Sequence, residues 1–281
     1  MSDPLPLPLI IDEPAEKVRR FTLNRPEKRN ALNDDLRGAL FDGLRAGDRD
    51  RNISVMIIRG SGEAFSAGYD LSQPNHDVER SIAKVDGWWS RHVVNNWFEI
   101  WDMATPVIAQ VHGWCLAGGT ELANACDLIY VADDAKIGYP PVRLMSPPDM
   151  QWQTWTMGMR RGMEALLTGD HISGVEAVQA GAANRAFPAS ELDDEVLAIA
   201  ERIALIPNDL LALNKRAAHR AMEAQGIRNG IRATADIQAM GFHQPSSKEY
   251  MASFGTKDLR DTLSERDQKF GDYREGRAED A

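Results

Sequence analysis

Few cysteines, a shortage of positive charge and no long apolar run each remove a class of function from this chain. Its 281 residues include two cysteines, Cys115 and Cys126, each in an apolar stretch. Two such thiols make no disulfide framework or metal site, and reduced buried thiols are the expectation. No CxxC or HExxH pattern occurs, so no metal is expected. Lys and Arg number 32 against 42 Asp and Glu, a formal net charge of −10. That balance argues against nonspecific nucleic-acid binding, yet leaves room for a local basic spot facing a small anion. The strongest apolar runs, VMIIRG at 55–60 and PVIAQV at 106–111, are far too short to span a bilayer, so no membrane partner is expected. The first ten residues, MSDPLPLPLI, lack the basic start of a signal or transit peptide, and a cytoplasmic location is expected. Neither a P-loop nor a convincing dinucleotide-binding glycine motif is present, which gives no basis for ATP or nicotinamide.

What is present is enough apolar content, 43% of residues, to bury a large core. KVRRFTLNRP (17–26) reads as a strand running into a Pro-limited loop, and ISVMIIRGS (53–61), PVIAQVHG (106–113) and CDLIYVAD (126–133) read as buried strands. Residues 33–50 carry apolar side chains at 36, 39, 40 and 44, the spacing of a helix face, with Asn33 as its N-cap. A long helix with a Trp and Phe stripe is expected over 82–103, where Trp88, Trp89, Trp97 and Trp101 read as core or pocket wall. From about 149 the pattern is helical: 149–167, 173–181, 189–205, 207–225, 228–240, 246–254 and 258–269. Strands separated by helical stretches imply crossover units around a largely parallel sheet, followed by a helical region. The expected division is a core over 1–195, a C-terminal helical region over 196–270 and a flexible tail over 271–281.

Three segments carry residue types suited to chemistry. NRPEKRNAL (24–32) is a charged loop entering a helix. GSGEAFSAGYDL (60–71) is a strand exit rich in small residues, which let a ligand carbonyl approach backbone N–H groups. VHGWCLAGGTELANACDLIYVAD (111–133) opens a helix at Ala117-Gly118-Gly119 and places Glu121 in its first turn. Unpaired N–H donors and the helix dipole favour negative charge at that end. Taken singly, each segment also has a bland reading: a turn, a glycine loop, a helix-start glutamate.

Together they resemble the enoyl-CoA hydratase/isomerase (crotonase) superfamily. RPEKRNAL, FSAGYDL, HGWCLAGGTELANACD and LLTGDHISGVEAVQAGAANRAFP (166–188) stand in the family's order and spacing, and PSSKEYMASFGTKD (245–258) resembles its C-terminal segment. The resemblance spans roughly residues 8–270. It implies an α/β fold, a spiral of ββα units with a C-terminal helical trimerisation region, assembled as homotrimers or dimers of trimers. It implies a coenzyme A thioester as substrate, no other cofactor, and an enolate held by two oxyanion-hole donors, the N–H groups of Ala67 and Gly118. Such a donor is worth about 3–4 kcal/mol of transition-state stabilisation. The same resemblance assigns the coenzyme to Arg25, Lys28, Arg29, Ala31, Ala67 and Asp70, with Lys248 and Lys257 reaching in from the C-terminal helices.

One departure bears on the chemistry. Family hydratases hold water between two glutamates; Glu121 matches the first, but position 141, where the second belongs, is Pro141. Proline has no acid–base chemistry. Eight residues on, Asp149 stands at what reads as a helix start, and either replaces the missing acid opposite Glu121 or merely caps the helix. Tyr69, Trp88, Pro141, Arg143 and Trp152 are expected around the acyl pocket, with Trp155 nearby; Arg143 is a candidate partner for Glu121 or a substrate carboxylate. Asp70 reads as ordering its own loop, and His92 and His112 show no paired acid. The reading is a lyase that adds water to a 2-enoyl-CoA. The alternatives are decarboxylation, double-bond isomerisation, or a CoA-ester binding protein without catalysis.

Overall fold

A computed structural model describes residues 7–72, 93–254 and 256–271. Strands β1 (Leu9–Ala15) and β2 (Val18–Leu23) pair antiparallel around a turn in which Lys17 takes a left-handed φ of 62°. Beyond β2 the sheet is parallel: β2 pairs with β3 (Val55–Gly60), β3 with β5 (Val107–Val111), β5 with β7 (Leu128–Ala132), and β7 with β10 (Arg185–Phe187). A second sheet is built from the short strands β4 (Ala64–Ser66), β6 (Trp114–Leu116) and β8 (Lys136–Gly138), all parallel, and closes with antiparallel β9 (Ile172–Ser173). Successive turns of the chain therefore lay one strand in each sheet: β3 then β4, β5 then β6, β7 then β8. Strands β3, β5 and β7 were visible as apolar runs because they are largely buried, whereas β1, with Ile10 and Ile11 exposed, was not foreseen. The three-residue strands carry too short a pattern to be read from sequence.

Helices follow each turn. Helix α1 (Asp34–Arg49) begins at Asn33, whose side chain accepts the Leu36 N–H at 2.9 Å, and it buries Leu36, Leu40, Phe41 and Leu44. Helix α2 (Asn95–Asp102) contains Trp97 and Trp101, both in the core. Trp88, Trp89 and His92 lie outside the described residues. Helix α3 (Gly118–Ala125) is almost wholly buried. The helix expected over 149–167 starts instead at Gln153: α4 (Gln153–Thr156) is one turn, broken from α5 (Gly158–Thr168) where Gly158 takes a φ of 73°. Downstream come α6 (Gly174–Ala180), α7 (Leu192–Ala204), α8 (Asn208–Ala224), α9 (Ile227–Phe242), α10 (Pro245–Ser253) and α11 (Leu259–Asp267). Val196 and Ala200 of α7 and Ile227, Ile231 and Ala235 of α9 belong to the same apolar cluster as the sheet. Among the described residues no helix is long and apolar enough to cross a membrane. Cys115 and Cys126 are buried free thiols, pushed up in pKa by that burial.

Loop ends converge because one buried side chain ties them. Asn30, fully buried and with φ of 53°, accepts the Arg25 N–H at 2.9 Å and donates to Ser61 O at 2.8 Å and Ala64 O at 2.7 Å. It thus fastens the 24–32 loop to the 60–71 loop. Asn30→Ala removes three bonds worth roughly 1 kcal/mol each and leaves buried backbone groups unpaired. A loss of about 3 kcal/mol is expected in urea unfolding; an unchanged midpoint would contradict the role given to Asn30.

Candidate active site

The oxyanion corner is made by close backbone approach. Ala117, preceding α3, is held at φ 50° and ψ −122°, a conformation an L-residue avoids. Such strain persists only where the surroundings enforce it, and it clusters at functional sites. Here it leaves the Gly118 N–H at the helix start without an acceptor among the described residues. Gly68, at φ 95°, lies so close that a Cβ there would meet Ala117 Cβ at 2.8 Å and Gly118 N at 3.1 Å. Only glycine fits at that position. The Tyr69 ring covers Gly118, whose own Cβ would strike three ring carbons at 2.7–2.9 Å.

Ala67 does not fill the role expected of it. Its N–H donates to Arg29 O at 2.8 Å and so is already committed. The next candidate in sequence beyond Gly68 is Tyr69. Leu32, the partner of Tyr69 in an isolated parallel bridge, donates to Gly68 O and accepts from Asp70 N–H. In that pattern the two bonds belong to Leu32 and to the neighbours of Tyr69, and the Tyr69 amide turns to the opposite side.

Inside this corner two acids meet. Glu121 is 1% exposed and Asp149 not at all. The Tyr69 hydroxyl lies 2.6 Å from Glu121 Oε2 and 3.3 Å from Asp149 Oδ2. It also accepts the Trp97 Nε1–H at 2.9 Å. The Tyr139 hydroxyl donates to Asp149 Oδ1 at 3.3 Å. Burial, then the neighbouring Asp149 charge, pushes the Glu121 carboxyl well above its ordinary range. Burial, reinforced by both carboxyls, likewise raises the Tyr69 and Tyr139 phenols, which stay protonated donors. Glu121 Oε1 is buried and receives no well-formed hydrogen bond from the described residues. Asp149 caps no helix: α4 begins four residues later, after Trp152, without a side-chain cap. Tyr139 and Trp97 were not foreseen as members of this cluster. The available signal was Tyr139 standing two residues before the missing acid.

Other expected residues fall elsewhere. Arg143 points away from Glu121: its guanidinium reaches Thr168 O at 3.0 Å, Asp170 at 2.8 Å and Asp267 at 3.3 Å, and sits over the Phe270 ring. The sequence showed its charge but not its direction. Pro141 lies in a 3-10 turn, Pro140–Arg143, and its carbonyl accepts Met145 N–H and Ser146 N–H. Trp152 is 3% exposed, packed between the Phe98 and Trp101 rings, so it is core under the site. Trp155 is half-buried. Arg25 bonds Ala31 O at 2.5 Å and Asp70 at 2.8 Å, and Asp70 in turn accepts the Ser72 N–H, so these three order one loop. Arg29 pairs with Glu63 and Lys257 with Glu265, while Lys28 and Lys248 are exposed. His112 Nε2 contacts Gly62 O at 2.9 Å.

Residues 13–260 match the sequence family described as enoyl-CoA hydratase/isomerase. This chain belongs to that family. A probable enoyl-CoA hydratase of Rhizobium meliloti is 32% identical over 88% of this chain and 95% of its own length. A mitochondrial enoyl-CoA hydratase of Pongo abelii is 30% identical over 85% and 81%. An enoyl-CoA hydratase crystal structure from Mycobacterium smegmatis superposes with a TM-score of 0.88 at 30% identity, covering 96% of this chain and 97% of that one. The two-sheet spiral with its trailing helices is thus the crotonase fold, and the buried acid pair stands within an enoyl-CoA hydratase/isomerase framework.

The raised Glu121 value has a consequence for stability in this crotonase-fold protein. A carboxyl whose folded pKa lies above the ordinary glutamate value near 4.5 contributes its full stability below that value. The contribution is lost as pH rises through the raised folded value. Glu121→Gln removes this titration, so the variant should gain on wild type progressively as pH climbs from about 4.5 towards neutrality. Thermal unfolding across that range checks it, and a stability difference independent of pH would contradict it.

Proposed function

We propose that this chain is an enoyl-CoA hydratase that adds water to a 2-enoyl-CoA thioester using Glu121 and Asp149 as its two acids. The observation that carries the reading is the convergence of both buried carboxyls on one hydroxyl, beside the uncommitted Gly118 N–H. Names borne by relatives at about 30% identity over most of the chain support the same reaction. Two adjacent buried carboxyls hold one proton between them at neutral pH, because both cannot ionise in a dry site. Burial and the neighbouring acid raise Glu121, so this reading assigns Glu121 the role of proton donor and Asp149 that of base. In hydration the Asp149 carboxylate takes a proton from water as its oxygen bonds to the β-carbon. The Glu121 proton goes to the α-carbon, and the thioester oxygen carries negative charge in between. Gly118 N–H and, in place of Ala67, Tyr69 N–H stabilise that charge. Each such donor is worth about 3–4 kcal/mol.

The coenzyme would lie along the 24–32 loop. Lys28 is exposed there and Arg25, tied to Asp70 and Ala31, shapes the loop rather than offering a bare charge. Lys248 on α10 is exposed for the same purpose. Apolar side chains left outward, Leu167, Leu205 and Leu213 among them, fit self-association as a trimer or a pair of trimers.

The reading is tested by following loss of enoyl absorbance with crotonyl-CoA and longer 2-enoyl-CoAs in wild type, Glu121→Gln and Asp149→Asn. Each substitution should lower kcat by roughly 10²–10⁴-fold, the range for a general acid or base. Wild-type turnover in Asp149→Asn would remove Asp149 from the mechanism. No turnover by wild type on any 2-enoyl-CoA would remove hydration.

A further inference from the structure

Arg143 carries a charge that the proposed reaction does not use, and the fold seals it away. Its side chain is 1% exposed. Nε donates to Thr168 O at 3.0 Å, one terminal nitrogen to Asp170 Oδ1 at 2.8 Å and the other to Asp267 Oδ1 at 3.3 Å. The Phe270 ring centroid lies 4.0 Å from the guanidinium carbon. Asp267, at 2% exposure, is itself gripped by Arg266 through two nitrogens at 2.8 and 2.7 Å. The planar fork of an arginine spans acceptors lying in different directions, which the compact ammonium of a lysine does not. Arg143 thereby bridges the turn after α5 and the end of α11.

The segment it anchors, residues 139–149, has both ends at the acid pair. The Tyr139 hydroxyl meets Asp149 Oδ1 at 3.3 Å and so closes the segment on itself. Between them stand Pro140, Pro141, Pro147 and Pro148. Each proline lacks an N–H and holds φ near one value, so the segment is stiff yet poor in backbone donors. Ties to the rest of the molecule come instead through side chains. Ser247 of α10 donates to Met145 O at 2.6 Å, the Thr234 hydroxyl of α9 lies 3.0 Å from Asp149 O, and Arg143 holds the middle. A stiff segment passes a displacement at its middle on to its ends.

We infer that Arg143 is a positioning residue for the second acid, clasped by Asp267 and Phe270 so that the 139–149 segment presents Tyr139 and Asp149 to Glu121. On the two-acid reading, on which this role rests, the reacting water must lie within hydrogen-bond reach of Asp149. About 1 Å of misplacement at such a group costs on the order of 100-fold in rate. Arg143 touches no reacting atom; it acts through the segment that bears Asp149. The coenzyme loop at 24–32 takes no part in these contacts, so substrate affinity does not follow the clasp.

The test compares wild type, Arg143→Ala, Arg143→Lys, Asp267→Asn and Phe270→Leu in hydration of crotonyl-CoA and in amide hydrogen exchange. Arg143→Ala should lower kcat about 10- to 100-fold with KM within about 2-fold of wild type. Amides within 139–149 should exchange faster in it, while those of β3, β5 and β7 keep their protection. Ethylguanidine at millimolar concentration should fill the place of the lost side chain and raise kcat in Arg143→Ala, with no effect on wild type. Arg143→Lys, which keeps the charge but not the fork, should fall between the two. Asp267→Asn and Phe270→Leu should lower kcat by smaller factors; Phe270 is 44% exposed, and its variant keeps the test open should Arg143→Ala fold poorly. Unchanged kcat in the folded variants, a rise in KM with kcat kept, or protection lost evenly over the sheet without rescue by ethylguanidine would each overturn the role. Failure of the hydratase reading shows separately, as a wild type that turns over no 2-enoyl-CoA while exchange in 139–149 still follows Arg143; unaltered exchange there overturns the clasp whatever the reaction.

Discussion

Two carboxyls buried side by side form the constraint on which the rest of this site depends. In a dry interior desolvation, reinforced by the neighbouring Asp149, raises the Glu121 carboxyl well above its ordinary range despite the nearby phenols. That burial also explains the company the two acids keep. Tyr69 and Tyr139 are donors whose own ionisation is suppressed by the same burial and charge, so they steady the pair without competing for its proton. A histidine or lysine in their place would take up the proton the pair is built to share.

Holding acids in that arrangement requires backbone that does not relax. Ala117 is kept at a positive φ between Leu116, whose strand β6 is pinned in the small sheet, and the start of α3. Its N–H is secured by Gly138 O, and its carbonyl accepts from Thr120 N–H and from the Thr120 hydroxyl. On the facing loop Asn30 supplies three bonds from a side chain no larger than the gap it fills. Strain in one loop and a side-chain tie in the other bring Gly68 against Gly118, and the oxyanion corner results from both. This is local geometry sustained by distant pairing, which is why the short strands matter more than their length suggests.

The sequence revealed those parts whose signal is periodic. Strands β2, β3, β5 and β7 and the α1 face at 36, 40 and 44 were legible because burial on both faces, or on one stripe, leaves a pattern over several residues. Strands β4, β6 and β8 were not, since three residues carry no period. The site divided along similar lines. Glu121 and Gly118 were singled out by the helix start that bears them and Asp149 by the acid lost at 141, and the fold brings Glu121 and Asp149 to one hydroxyl. That the Ala67 N–H is committed could not be read, because Ala67 and Tyr69 flank the same glycine and only the Arg29 carbonyl at 2.8 Å shows it. Arg143 misled for a related reason: a charge beside the site reads the same whether it faces inward or, as here, holds Asp170 and Asp267. Tyr139 and Trp97 were missed because their partners lie 10 and 28 residues away and no spacing rule joins them.

Moving an acid from 141 to 149 is physically permissible because a different support fixes it. At 141 a carboxylate would ride on the 3-10 turn of Pro140–Arg143, which Arg143 anchors to Thr168 and to the C-terminal segment. Asp149 instead lies in irregular chain before α4, where loop residues would ordinarily be mobile. The Thr234 hydroxyl of α9 lies 2.6 Å from Ile231 O and 3.0 Å from Asp149 O, sharing its one proton between them, and its oxygen accepts the Gln151 N–H at 3.2 Å. Met150 and Trp152 on either side of Gln151 are buried at 0% and 3% exposure. Asp149 is therefore steadied in part by α9, whereas Glu121 rides on α3 within the α/β core. The helical region therefore contacts the backbone on either side of Met150 directly.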